Sequence, residues 1–392
     1  MPAKTWKLID QSSGLQKEPY LVLRDQDFPG LGKAGVTKRT WSGGLSDGVV
    51  GVELNNGKIS LQVLPTRGMG IHEVTLSGDS ELPTIGWKSP VRGPVHPAFV
   101  DVGEPSGLGW LDGFDEFFVR CGLESNGAPE FDDQTRALKF PLHGRIANKP
   151  AHEVELTIDT DKQELSLRGV VEESRFHFQK LRMTSTITPQ FGSSSFTVRD
   201  EIENVSALPA TMQMLYHINF GLPLLDAGSR VVAPVKKIVP RTPRAASGIK
   251  SWDSYPAPEP GFDEMVYFFE LHADSGGATR TLLKNAHSTR GVSLLFNKQQ
   301  LPWFTLWKDT AAAADGYVTG LEPGTNFPNP RSFETAKKRV VHLAPGQKQV
   351  FDITVEVHSS PQEVSAAEAA VAKIQAGRPA QVLDQPTADW CA

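Results

Sequence analysis

An all-β fold, a large antiparallel β-sandwich, is predicted by three features of this sequence. Apolar and polar residues alternate with period 2 in segment after segment, as strands with one buried face require. Helical periodicity is scarce. The 35 glycines and 29 prolines are spread along all 392 residues, as a chain with many turns demands.

The elements follow in order. Val52 and Leu54 alternate with Glu53, Asn55-Asn56-Gly57 turns the chain, and Ile59, Leu61 and Val63 alternate with Ser60 and Gln62. That is a hairpin with one apolar face. A second hairpin is expected at Glu153–Val171, with Val154, Leu156 and Ile158 facing Leu165 and Leu167 across Asp159–Lys162. A third joins Leu181–Thr188 to Ser195–Ile202 through Pro189-Gln190-Phe191-Gly192. Late in the chain, Phe351, Ile353, Val355 and Val357 alternate with polar residues. One helix is expected near 361–376, clearest over Ser365–Ala376, where strong helix formers dominate and Gly377-Arg378-Pro379 ends it. The polar tail beyond it reads as loose. Glu81–Asp112 and Pro240–Gly261 read as long irregular loops, which on a sandwich tend to carry function. No repeat or composition break divides the chain, so one domain over 1–392 is expected.

The net charge of −5 gives no field attractive to nucleic acid or an anionic membrane. Cys121 and Cys391 are too few for a disulfide framework, and no zinc spacing occurs. Met1–Lys7 lacks an apolar leader, and no run approaches a membrane span. A soluble, cytoplasmic protein is the expectation; oligomeric state is not legible.

Chemistry-bearing residues fall in a few places. Glu322 follows Val318 and Leu321 and precedes Pro323 and Gly324, which should end a strand there and hold the carboxylate at a stiff turn. His143 stands in Leu142-His143-Gly144-Arg145, where Gly144 permits close approach and Arg145 offers a fork of donors. His217 lies in the apolar strand Met212–Phe220. Strict alternation puts Leu215, His217 and Asn219 on one face and Tyr216, Ile218 and Phe220 on the other. One carboxylate, two imidazoles and no serine or cysteine nucleophile motif point to proton transfer rather than acyl transfer.

Further candidates are Asp263, before an alternating strand, and Arg67, after a strand and before two glycines. Trp303 and Trp307 can each stack on a sugar face or fill the core, and one of each is expected. Taken singly, several of these have bland readings: a surface turn histidine, a turn-initiating aspartate, an exposed turn arginine. Asp112, Asp115 and Glu116 invite a glycosidase reading, although nothing fixes a carboxylate pair across a pocket.

The order of these motifs resembles the aldose 1-epimerase (galactose mutarotase) superfamily over roughly residues 45–358. The elements that carry it are His143 between Leu142 and Gly144, His217 in a strand, Asp263, and Leu321-Glu322 followed by Pro-Asn. Arg67-Gly68-Met69, Arg120–Ser125 and Leu142–Ile146 resemble a domain-of-unknown-function branch of it. Tyr216-His217-Ile218-Asn219-Phe220 departs from the usual surroundings of the second histidine.

The resemblance implies an extended β-sandwich, a small sugar or sugar acid as ligand, and neither metal nor cofactor. Glu322 would be the general base and His217 the general acid, on opposite sides of the hemiacetal. His143 and Arg145 would hold oxygens and stabilise developing negative charge. The resemblance adds Asp263 as a residue that binds sugar hydroxyls, and Arg67, Asn219 and Trp307, read from the residues themselves, would complete the sugar site. Arg67, Arg145 and Arg331 would favour an acidic or phosphorylated sugar if they converged. Two other readings stay open: a cupin-like enzyme with iron or manganese on His143, His217 and Glu322, and a carbohydrate-binding module without turnover. The first lacks the His-x-His element usual in cupins.

Overall fold

Residues 3–14 and 20–392 are described in a computed structural model; the reading of Met1 and Pro2 lies outside them. Two large sheets carry almost all the regular structure. A nine-stranded sheet runs, edge to edge, from Lys4–Asp10 through Glu153–Asp159, Glu164–Ser174, Lys180–Pro189, Ser195–Asn204 and Lys348–His358 to Gly291–Asn297, Ala278–Lys284 and Arg230–Val232. In the thirteen-stranded sheet the central strands are, in order, Phe118–Leu123, Ala210–Gly221, Val318–Gly324, Trp303–Asp309 and Met265–Leu271. Neighbours pair antiparallel, except that Gln381–Val382 runs parallel to Val235–Pro240.

The expected hairpins form in the expected register. Val52 pairs with Val63, Val154 with Gly169, and Ile187 with Val198. One apolar cluster fills the space between the sheets, with Leu156, Leu167 and Met183 from one and Leu54, Leu61 and Tyr216 from the other. Within it lies a buried polar tie. Arg120 grips Asp200 through Nε at 2.6 Å and Nη2 at 3.0 Å, and Tyr216 donates its hydroxyl to Asp200 at 3.0 Å. A bidentate pair with its remaining donors satisfied fixes geometry more than it adds stability. Here it locks the strand that carries His217, because Arg120 and Tyr216 are register partners.

Two expectations are corrected. Pro323 and Gly324 do not end the strand: Val318–Gly324 continues through both, and Phe304 lies opposite Pro323. On its other side this strand pairs at Leu321–Ile218 and Gly324–Leu215, and the pairing skips Pro323, which has no N–H to give. The tail is not loose. After the helix Pro361–Gln375, residues Gln381–Val382 join the sheet, and Trp390 packs at 4% exposure against Phe327 and Val239. The overlooked signal was one large aromatic near the end of a polar segment, enough apolar area to anchor it. Among the described residues no helix is long and apolar enough to cross a membrane.

Candidate active site

Strand alternation builds the site on the face of the larger sheet turned away from the core. In Ala210–Gly221, Met212, Met214, Tyr216, Ile218 and Phe220 enter the inter-sheet cluster. Leu215, His217 and Asn219 therefore point the other way. The next strand buries Leu321 in the core and turns Gly320 and Glu322 outward beside His217. The strand after that buries Phe304 and Leu306 and turns Thr305 and Trp307 outward, with Thr305 opposite Glu322 and Trp307 opposite Gly320.

These outward residues floor a cleft of about 300 Å³. His143 enters from the long loop side, and Trp110 and Phe114 come from the irregular segment Glu81–Asp112 and just beyond it. The two histidine rings lie 5.4 Å apart between centroids, and Trp307 and Phe114 stand 5.4 and 5.2 Å from His217. A larger open depression of about 840 Å³, beside the C-terminal helix and lined by Arg280, Asp352 and Lys373, contains none of these residues.

The central contact is His217 Nε2 to Glu322 Oε1, 3.2 Å, with both side chains almost wholly buried. Gly320 makes the contact possible, since a Cβ there would stand 2.5 Å from Glu322 Oε1 and 3.0 Å from His217 Cε1. The other ring nitrogen, Nδ1, lies 2.6 Å from Asn219 Oδ1, and Asn219 gives its amide N–H to the Glu116 carbonyl at 2.9 Å. A carbonyl oxygen can only accept, so Nδ1 carries the hydrogen and Nε2 presents a lone pair to Glu322.

Burial sets the charge state. It pushes His217 down to about 3, with His143 adding to the effect, and pushes the Glu322 carboxyl well above the usual carboxylate range. Burial thus favours the uncharged form of each group, and Oε1, although 3.2 Å from Nε2, is buried without a hydrogen-bond partner. His143 is also neutral: burial lowers it to about 4, and its Nδ1 sits 2.9 Å from the Asn126 carbonyl. Its backbone holds a left-handed φ of 56°, a cost that the flanking bonds sustain. Because Nδ1–H is spent on that carbonyl, Nε2 is left with a lone pair and no hydrogen to give.

Several sequence expectations are corrected here. Arg67 is not in the cleft: it is buried, paired with Glu116 at 3.1 Å and donating to the Gly113 and Val95 carbonyls. Arg145 lines a separate recess facing Glu124 at 3.9 Å, and Arg331 is spent on the Glu124 carbonyl and Thr211. Asn219 lies behind the histidine instead of facing the cleft. Asp263 is exposed and outside the lining; its neighbour Glu264 lines the cleft, accepting the Trp307 indole N–H at 2.6 Å. The acidic segment supplies no carboxylate pair, since Glu116 faces Arg67 and Asp115 faces His72 at 3.8 Å. Trp303 packs against Trp390 and Phe327, while Trp307 faces the cleft.

Sequence reasoning missed Arg241, Glu264, Trp110 and Phe114. Arg241 lies at the start of the loop Pro240–Gly261, read above as one that tends to carry function, and Glu264 lies just beyond its end, which was the available signal. Among the described residues no three His, Cys, Asp or Glu side chains gather so as to hold a metal ion.

Fold and cleft together define a galactose mutarotase-like β-sandwich. The chain belongs to the family described as Domain of unknown function (DUF4432), whose model matches residues 46–357, a branch of the aldose 1-epimerase superfamily. It is similar to a crystal structure from Klebsiella pneumoniae described as a putative aldose 1-epimerase. The two share 34% identity over 98% of this chain and 99% of that one, with a TM-score of 0.92. The fold also matches a galactose mutarotase-like protein from Clostridium acetobutylicum, at 15% identity over 83% and 98% of the chains and a TM-score of 0.55. A galactose 1-epimerase from Lactobacillus acidophilus matches at 11% identity over 83% and 99%, with a TM-score of 0.54. No curated protein sequence matches this chain significantly.

Proposed function

We propose that this cleft binds a small sugar and interconverts its anomers by proton transfer through His217 and Glu322. The observation that carries the proposal is the 3.2 Å contact between Nε2 and Oε1 at the cleft floor. Ring opening takes the proton from the anomeric hydroxyl and delivers one to the ring oxygen, and both oxygens are bonded to the same carbon. An acid and a base serving that pair must be neighbours, as these are, rather than stand across the sugar from each other.

In the resting state Glu322 holds the proton and His217 Nε2 is free. His217 takes the anomeric O–H proton while Glu322 protonates the ring oxygen as its bond to the anomeric carbon breaks. This leaves an imidazolium, a carboxylate and the open-chain aldehyde. Rotation about the first carbon–carbon bond presents the other face of the aldehyde. On closure the hydroxyl returns its proton to Glu322, the carbonyl oxygen takes the proton from His217, and the resting state is restored. These roles exchange those suggested by the family resemblance, because burial favours the uncharged pair. Trp307, Phe114 and Trp110 offer ring faces to the apolar side of the sugar and keep water from the proton path.

NMR exchange spectroscopy over a panel of aldoses tests this directly. Anomer exchange faster than in buffer, lost in the Glu322→Gln variant, is the expected result. Sugar binding by calorimetry without acceleration of any member would instead establish a carbohydrate-binding module.

A further inference from the structure

Asn219, the residue at which the chain departs from the usual surroundings of the second histidine, does not line the cleft, yet it is wholly buried and each of its polar atoms is engaged. Its backbone N–H gives to the Phe117 carbonyl at 2.7 Å. Its side-chain Nδ2 gives to the Glu116 carbonyl at 2.9 Å and, more weakly, to the His217 carbonyl at 3.4 Å. Both Nδ2 partners only accept, so turning the amide end for end would set oxygen against oxygen. Oδ1 is thereby held toward His217 Nδ1, 2.6 Å away. The anchor is fixed in turn. The Glu116 carbonyl also faces the Trp87 indole N–H at 3.4 Å, and the Glu116 carboxylate is paired with Arg67, whose other donors go to the Val95 and Gly113 carbonyls.

The two tautomers of His217 would make different catalysts. With hydrogen on Nδ1, Nε2 offers a lone pair to the anomeric O–H; with hydrogen on Nε2, the ring has no base to offer at the cleft floor. A histidine free in water favours the Nε2–H form, so the other has to be imposed by its surroundings. Asn219 imposes it, because an Nε2–H ring would turn the Nδ1 lone pair against Oδ1 in a buried place, an unmade hydrogen bond between two acceptors. The amide is also neutral, so it fixes the tautomer without drawing a second proton onto the ring as an ionised carboxylate there would.

Resting on the proton-transfer reading, we infer that Asn219 is a positioning residue for the reaction: it holds the His217 ring in the Nδ1–H form and so keeps the Nε2 lone pair turned to the substrate. Correlation spectra of the ring nitrogens, on protein carrying isotope-labelled histidine, read the tautomer directly. The His217→Asn variant marks which of the ten histidines gives the signal. At neutral pH the wild-type ring is expected as the uncharged Nδ1–H form. In Asn219→Leu, similar in size and without polar atoms, the signal is expected to move to the Nε2–H form or to a mixture. In the same variant kcat for anomer exchange is expected to fall about a hundredfold with KM changed less than about twofold, since the amide does not touch the sugar. The melting transition checks that the variant is folded, and Asn219→Ala takes the same readings if it is not. A wild-type ring in the Nε2–H or charged form, or an Nδ1–H form that survives in the folded variant, overturns the inference. So does a loss confined to KM, or wild-type exchange in a folded variant whose tautomer is lost. If no sugar exchanges faster than in buffer, the proton-transfer reading fails separately, and the ring spectra alone then decide whether Asn219 sets the tautomer.

Discussion

Replacing Gly320 with alanine probes the geometry on which the mechanism depends. The new methyl would sit 2.5 Å from Glu322 Oε1 and 3.0 Å from His217 Cε1, where ordinary contact begins at 3.4 Å. The backbone there is ordinary strand, without a left-handed φ, so alanine meets no conformational penalty of its own. Its nearest contacts are side-chain atoms, and the carboxylate can give way by rotation. The strain should therefore cost about 1–3 kcal/mol of stability at most. The catalytic consequence is larger. Relief of the clash moves Oε1 by about 1 Å, and a misplacement of that size costs about a hundredfold in rate. Anomer exchange, followed by NMR on the best substrate found, should thus fall by about two orders of magnitude while the thermal transition remains cooperative. An alanine variant with wild-type exchange would show that the contact between His217 and Glu322 has no part in turnover.

Glu322→Gln keeps size and hydrogen bonding but cannot exchange a proton, so exchange should fall about a hundred- to ten-thousandfold, roughly 3–5 kcal/mol of barrier, with sugar affinity little changed by calorimetry. His217→Asn should fold, since its wall already holds Asn219, and should lose most turnover; unfolding would mark His217 as structural. Arg67→Met should leave sugar affinity unchanged but lower stability by about 3–5 kcal/mol in denaturant titrations, because Glu116 is left buried without its partner. His143 is neutral in the fold down to about 4, while in the unfolded chain it protonates from its ordinary 6.5. The unfolded state therefore binds more protons between those values, and stability from this group falls by about 3 kcal/mol as pH drops from 6.5 to 4. Chemical denaturation across that window should show a shallower slope in His143→Gln; an unchanged slope would refute the buried neutral state.

The sequence alone determined the fold class and the faces of its strands. Period-2 alternation is a local property, so the order of residues around Val52–Val63 and Met212–Phe220 already says which side chains enter the core. It also places His217 and Asn219 together, away from the core. Convergence was a different matter. Glu322 meets His217 because Val318–Gly324 lies beside Ala210–Gly221 in the sheet, and no spacing along the chain encodes that adjacency. Whether an arginine faces ligand or core depended on distant partners: Arg67 is claimed by Glu116, whereas Arg241 stays at the cleft beside Glu264. The same holds for charge. A histidine and a glutamate read as an imidazolium and a carboxylate in a sequence, but burial, which only the packed tertiary structure creates, favours the uncharged form of both.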